Sequence, residues 1–293
     1  MVTPTLTHVY VIGPAPDAVV AAAAGPRRAR PEAVAAVDAR ALAPGDVVVV
    51  AGAPDKDAAL QAVAAALGAR ADAFVAAALF PELSAAAATA DLAGEPYYHF
   101  QGRPPGALGR AGKWLLDRAV AAAFILVLAP VWFPMFAAIK IDSRGPVIFR
   151  QKRLTVGRRE FNIYKFRTMF ATVPQYQTSP PGEDIRVTRV GRVLRRLGLD
   201  ETAQLINVLK GQMSLVGPRP EMAIVAATYE PWQNLRFAVK PGITGLWQIA
   251  GRADRPIHEG LEFDFYYVAN RTLRMDVRVL LRTIPILFGK GRH

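Results

Sequence analysis

Asp200-Glu201 is the first pair in this 293-residue chain whose residue types could do chemistry. Two adjacent carboxylates are candidates for catalysis, and they serve equally well as the N-cap and first-turn acid of an ordinary helix. Downstream, Ser214-Leu-Val-Gly-Pro-Arg-Pro-Glu221 sets Pro218 and Pro220 on either side of Arg219. Two prolines and a glycine stiffen that loop, and an arginine fork on a stiff loop is suited to gripping phosphate. Lys240-Pro-Gly-Ile-Thr-Gly-Leu-Trp-Gln248 and Gly251-Arg252 supply a second Gly-rich turn. Asp264, within Glu262-Phe-Asp-Phe-Tyr-Tyr267, adds a carboxylate in aromatic surroundings.

Composition removes several alternatives. With no cysteine, the chain has no disulfide, no thiol nucleophile and no Cys-ligated metal site. His8, His99, His258 and His293 are too scattered for a histidine metal cage. At 52% hydrophobic and 20% charged residues, disorder is excluded. The net charge of +12 is uneven: residues 1–112 carry 8 basic and 10 acidic side chains, leaving 28 and 14 for residues 113–293. The anionic partner therefore belongs to the second part, and phosphorylated small molecules, nucleic acid and anionic lipid headgroups are its chemical candidates.

The elements that must position these residues begin with a membrane question. The N-terminus has no basic stretch ahead of a short apolar core, so it does not read as a secretory signal. Ala119–Ile139 is 21 residues without a charge, long enough to cross a bilayer. Pro130 and Pro134 interrupt its hydrogen-bond ladder, and basic residues flank both ends: Arg110, Lys113 and Arg118 before, Lys140, Arg144 and Arg150 after. A helix that enters, breaks near Pro130 and returns keeps both basic flanks on the cytoplasmic side. A kinked spanning helix is the alternative.

Ahead of this segment, Val9–Gly13, Asp46–Ala51 and Ala73–Ala76 read as buried strands, with a helix over Ala58–Leu67. Alternating strands and helices predict a small α/β domain with a parallel sheet. No Gly-x-Gly-x-x-Gly loop follows its first strand, so docking or oligomerisation is its simplest role. Gly102–Gly112 reads as the linker. Beyond the apolar run, Pro146–Gln151 and Phe161–Met169 alternate as paired strands around Val156-Gly-Arg-Arg. Phe170–Asp184 reads as a polar loop, Arg186–Leu197 as a basic amphipathic helix suited to an anionic membrane surface, and Asp200–Lys210 as a second helix stopped by Gly211.

The run Leu199-Asp-Glu-Thr-Ala-Gln-Leu-Ile-Asn-Val-Leu-Lys-Gly-Gln-Met-Ser-Leu-Val-Gly-Pro-Arg-Pro-Glu221 closely resembles the signature of bacterial sugar transferases, the monotopic phosphoglycosyl transferases. Lys165-Phe-Arg-Thr-Met169, Lys240–Gln248 and Asp264-Phe-Tyr-Tyr267 match the same family in the same order, so the resemblance covers about residues 113–293. Residues 1–112 resemble a shortened form of the α/β domain that precedes the catalytic part in larger members, without the four N-terminal spanning helices common there.

The resemblance implies an α/β N-terminal domain plus an α+β monotopic membrane catalytic domain with a re-entrant membrane helix. It divides the chain into an accessory domain over 1–105, a linker over 106–112, the re-entrant helix over 113–140 and a catalytic domain over 141–293. The implied enzyme transfers a sugar-1-phosphate from a UDP-sugar to polyprenyl (undecaprenyl) phosphate, releasing UMP, as the initiating step of exopolysaccharide, capsule or O-antigen assembly. Asp200 is the implied nucleophile and Glu201 the contact for Mg2+. Pro218, Arg219 and Pro220 with Lys165 and Arg167 are the implied substrate contacts, and Asp264 is a further active-site carboxylate. The family's membrane break, usually at Ser-Pro, falls here at Ala129-Pro130. The implied location is the cytoplasmic leaflet of a bacterial inner membrane, with a homodimer as partner state. A catalytically silent membrane scaffold is the rival reading, at odds with an intact Asp-Glu pair. A nucleic-acid binder fits poorly with the apolar run and the lack of any recognition module.

Overall fold

The computed structural model describes residues 7–25, 29–38, 40–172, 184–250 and 260–288. Gly251-Arg252, His258, His293 and most of the expected polar loop over Phe170–Asp184 lie outside the described residues. The chain forms two compact units. One comprises Met1–Ala107, Thr228–Ala238 and Leu246–Met275, and the other Leu108–Ala227, Val239–Gly245 and Asp276–His293. Segments 228–238 and 246–275, which the sequence reading grouped with the second domain, thus belong with the sheet.

The first unit is built on β1 (Thr7–Ile12), α1 (Asp17–Ala24), β2 (Ala29–Ala33), β3 (Val47–Val50), α2 (Lys56–Gly68), β4 (Asp72–Ala76), β5 (Ala90–Leu92) and β6 (Glu95–Phe100). The sheet order is β2-β1-β3-β4-β6-β5. The first four strands run parallel, and β6 and β5 are antiparallel to them. A parallel strand covered on both faces reads as an unbroken apolar run, and Val47-Val-Val-Val50 is buried at every position. α2 starts at Asp55, whose carboxylate accepts the Ala58 N–H at 2.7 Å.

Two parts of this sheet differ from the sequence expectation. β2, Ala-Arg-Pro-Glu-Ala, has no strand-like pattern and holds its place at the edge, where Pro31 need not donate to a neighbour on both sides. β5 and β6 form a hairpin through Ala93-Gly94, both at positive φ, which makes the sheet mixed. The helix Leu261–Asn270 packs against β6, α2 and the 3-10 segment Pro231–Ala238, and is buried from Leu261 to Ala269. Its Tyr266 ring meets Phe100 edge-on at 5.6 Å.

The second unit begins with α3 (Ala107–Asp142), a 36-residue helix whose most apolar window is 17% buried. The expected break at Pro130 does not interrupt it: α3 continues through both Pro130 and Pro134. Each proline removes one ladder hydrogen bond and crowds the carbonyl four residues back, but the flanking turns keep their helical pairing. One face of α3 contributes Trp132, Met135 and Ile139 to a core with Phe166, Leu194 and Ala203. Phe124, Leu126, Val127 and Phe133 project outward.

β7 (Ile148–Leu154) and β8 (Glu160–Phe166) form the expected antiparallel hairpin. α4 (Arg189–Leu197) is capped by Thr188, whose hydroxyl accepts the Gly191 N–H at 3.0 Å. Arg192, Val193, Arg196 and Leu197 are exposed, while Leu194 is buried. In place of one helix over Asp200–Lys210 there is a 3-10 segment, Leu199–Gln204, followed by α5 (Leu205–Leu209). β9 (Ser214–Val216) pairs parallel with β10 (Gly242–Thr244), which brings the 217–221 loop beside Lys240-Pro241.

Candidate active site

The Asp200-Glu201 pair sits in the first turn of the 3-10 segment, whose N-cap is Gly198 at φ 66. No side chain caps that segment, so Asp200 is not the helix cap that its residue type alone allowed. The left-handed Gly198 turns the chain sharply out of α4, a conformation costing any other L-residue roughly 1–2 kcal/mol. Both carboxylates are half-exposed.

The turn is fixed from two sides. From α3, Trp132 Nε1 donates to Thr202 Oγ1 at 3.1 Å, and the Thr202 hydroxyl donates to the Leu199 carbonyl at 2.6 Å. From β8, the Tyr164 N–H donates to Asn207 Oδ1 at 3.0 Å. Asn207 Nδ2 in turn donates to the Asn162 carbonyl at 2.7 Å and to Gln212 Oε1 at 2.9 Å. Asn207 is fully buried, so each of these bonds offsets a desolvation cost and ties α5 to the strand in one register. Lys165 follows Tyr164 on β8, and its Nζ lies 2.9 Å from Glu201 Oε1. Of the expected site residues, this is the contact that the structure shows directly: a cation on a strand, aligned with the second member of the pair.

The Pro218-Arg219-Pro220 loop is rigid, as its prolines suggest. Pro218 and Pro220 are buried, the Pro218 carbonyl accepts the Gly242 N–H at 2.8 Å, and the Pro220 carbonyl accepts Arg153 Nη1 at 3.2 Å. Arg219 is half-exposed between them.

Two expected site residues are occupied otherwise. Arg167 is buried and caps the end of α3: Nη1 donates to the Arg144 carbonyl at 2.7 Å, and Nη2 donates to the Ser143 carbonyl at 2.6 Å and the Ile139 carbonyl at 3.3 Å. A guanidinium so enclosed satisfies helix C-terminal carbonyls and is not presented to a substrate phosphate. Asp264 belongs to the sheet-bearing unit and forms a buried ion pair with Arg236 at 2.9 Å. Arg236 also donates to the Tyr229 hydroxyl at 2.6 Å.

Sequence reasoning missed Trp132, Thr202 and Asn207. Asn207 carried the one usable signal, a poor helix former between Ile206 and Val208. It also missed the network at the start of α3. There Lys113 Nζ lies 3.0 Å from both Asp117 Oδ1 and Asp276 Oδ2, while Asp117 Oδ1 accepts the Leu215 N–H at 3.1 Å.

Among the described residues, no group of three or more His, Cys, Asp or Glu could hold a metal by itself. Mg2+ takes only one or two protein carboxylates when phosphate oxygens and waters complete its shell. Asp200-Glu201 supplies that number, so the pair fits a metal that arrives with a phosphorylated substrate.

The bacterial sugar transferase family model matches residues 108–290. A UDP-N-acetylgalactosamine-undecaprenyl-phosphate N-acetylgalactosaminephosphotransferase of Aeromonas hydrophila is 41% identical over 186 residues, covering 60% of this chain and 44% of that protein. A UDP-glucose:undecaprenyl-phosphate glucose-1-phosphate transferase of Caulobacter vibrioides is 38% identical over 199 residues, covering 63% of this chain and 74% of its own. One of the same name from Xanthomonas campestris pv. campestris is 38% identical over 191 residues, with 61% and 39% covered. The match thus spans less than half of the Aeromonas and Xanthomonas proteins. With a family model across most of its length and the Asp-Glu pair held in a braced turn, the chain belongs to the bacterial sugar transferase family.

Proposed function

We propose that the protein transfers a sugar-1-phosphate from a UDP-sugar to undecaprenyl phosphate and releases UMP. The observation that carries this reading is Asp200-Glu201 on a braced 3-10 turn, with Lys165 at 2.9 Å from Glu201. Relatives whose names state this reaction with N-acetylgalactosamine or glucose support it.

Asp200 attacks the phosphorus bearing the sugar. A P–O bond forms to its carboxylate as the bond to the bridging oxygen breaks, and UMP leaves with the electron pair. A phosphate oxygen of the polyprenyl acceptor then attacks the same phosphorus. The carboxylate is released, and a polyprenyl-diphosphate-sugar is the product. Dividing the transfer lets two anionic substrates use one nucleophile in turn. A carboxylate approaching a diphosphate meets like charge, so positive groups must be in place beforehand. Lys165 supplies one and fixes the Glu201 carboxylate, and Arg219 presents a planar fork for a phosphate. Bound at Glu201, Mg2+ would supply charge neutralisation of the diphosphate.

We place α3 in the cytoplasmic leaflet of the inner membrane as a re-entrant element that stays helical on either side of Pro130 and Pro134 and bends there, where each proline removes a ladder hydrogen bond. Both of its ends are fastened within one compact unit. Lys113 and Asp117 bond to Asp276 and Leu215 at the start, and at the end Asp142 accepts the Val190 N–H at 2.9 Å beside the Arg167 cap. A helix crossing the bilayer would carry its two ends to opposite faces. The reaction is tested by mixing purified protein, Mg2+, undecaprenyl phosphate and a panel of UDP-sugars. Multiple-turnover UMP release that requires the lipid, from one donor and lost in Asp200→Asn, supports it. No release from any donor overturns it.

A further inference from the structure

Trp132 is the only N–H or O–H donor among the side chains of the uncharged run Ala119–Ile139. A tryptophan in a membrane element generally sits with its ring at the headgroup level. This one is buried and turned into the protein, where Nε1 donates to Thr202 Oγ1 at 3.1 Å. Thr202 lies two residues beyond Asp200 and passes the constraint on, since its hydroxyl donates to the Leu199 carbonyl at 2.6 Å. With Nε1 held at its oxygen, that hydroxyl keeps its proton aimed at Leu199, and the two bonds polarise one another.

The ring also touches the second support of the pair. It meets Phe166 edge-on at 5.4 Å, and Phe166 follows Lys165 on β8. Leu199 and Ala203, which flank the turn, pack in the same apolar cluster as Trp132 and Phe166. One side chain of α3 therefore bears on the turn that carries Asp200 and on the strand that carries the cation beside Glu201.

Its place in α3 decides what it can transmit. Trp132 stands midway between Pro130 and Pro134. These prolines leave the carbonyls of Leu126 and Pro130 without ladder donors, so the helix bends most easily over the stretch that holds Trp132. The exposed Leu126, Val127 and Phe133 face outward there, so the surrounding acyl chains set its depth and tilt.

We propose that Trp132 is a positioning residue that couples the bend of α3 in the bilayer to the Asp200-Glu201 turn, so that bilayer thickness sets the rate at which Asp200 attacks the donor. This rests on the transfer reaction proposed above and makes that reaction depend on the leaflet around it.

Wild type, Trp132→Phe, Thr202→Val and the double variant are placed in nanodiscs of short-chain (dimyristoleoyl) or long-chain (dierucoyl) phosphatidylcholine. Two quantities are read: hydrogen exchange of the Leu199–Gln204 amides, and the rate of the first UMP release without acceptor lipid, per site counted by the burst amplitude. For wild type both should differ about threefold or more between the two bilayers. Trp132→Phe keeps a ring against Phe166 and removes the donor, while Thr202→Val removes the acceptor from the other side. Each should slow the first release about 3- to 10-fold at unchanged half-saturating donor concentration, and each should lose the difference between bilayers. The double variant should be no slower than either single one. Thr202→Ser, which keeps the hydroxyl, should stay within about twofold of wild type. A role in folding alone would shrink the burst amplitude and leave the rate per site unchanged, and that result overturns the proposal. Turn exchange that is equal in both bilayers for wild type overturns it too, as does a difference between bilayers that persists in both single variants. If wild type releases no UMP from any donor, the transfer reading falls, and the exchange comparison still decides the coupling.

Discussion

Replacing Glu262 with glutamine should stabilise the sheet-bearing unit at neutral and alkaline pH and leave it unchanged in acid. Glu262 lies on the buried helix Leu261–Asn270 and is itself 3% exposed. Burial is the main cause that pushes its carboxyl up to about 7, helped by a hydrogen bond with Glu82 and by the Glu82 charge, against a backbone hydrogen bond and Lys56. At Glu82 burial also acts upward, but hydrogen bonds from Lys56, the backbone and Glu262 hold it below its ordinary value. The two acids therefore share a proton near neutrality. Below the unfolded value of 4.5, Glu262 is protonated in both states and contributes no pH dependence. Between 4.5 and about 7 the folded chain keeps a proton that the unfolded chain has released, so stability falls as pH rises and then levels off. The shift corresponds to about 3 kcal/mol as an upper figure. Hydrogen exchange of the β3 amides, read at matched pH, reports opening of this unit alone. Glu262→Gln should increase their protection up to about a hundredfold at pH 8 and leave it unchanged at pH 4.5. Equal protection in wild type and variant at pH 8, with no difference in slope between pH 4.5 and 7, would refute the reasoning.

Two further substitutions separate site from scaffold. Lys165→Ala leaves Glu201 without its partner at 2.9 Å and should lower the transfer rate about 10- to 100-fold with little change in thermal stability, read as kcat and Tm on one preparation. Asp264→Ala removes the carboxylate that lies 2.9 Å from the buried Arg236 guanidinium and should cost about 3–5 kcal/mol in denaturant unfolding; a loss below about 1 kcal/mol would show that the pair is not the buried contact described.

Much of the fold could be read from local pattern. The valine run of β3, the Asp55 cap of α2 and the alternating β7 and β8 each declare themselves over a few residues. The mixed sheet could not, because β2 is held by its edge position and the β5–β6 hairpin rests on three-residue Ala-Asp-Leu, neither carrying a strand signal of its own. Helical pattern at Asp200–Lys210 concealed the 3-10 turn, which is set by Asn207 and Trp132 reaching it from elsewhere in the chain. The Asp200-Glu201 pair and the Pro218–Pro220 loop were legible because their chemistry is local. The partners of Arg167 and Asp264, helix-end carbonyls and Arg236, were not legible, because they come from distant parts of the chain and charge and spacing do not name them.

The central claim is that Asp200 carries the sugar-phosphate between donor and acceptor. It is tested most directly by mixing wild-type protein with UDP-sugar in the absence of lipid and analysing the Asp200-containing peptide by mass spectrometry. The account predicts one equivalent of UMP and a hexose-phosphate adduct on that peptide, discharged when undecaprenyl phosphate is added and absent in Asp200→Asn. UMP release only when donor and lipid are both present, with no adduct at any time, would mean direct transfer and would contradict it.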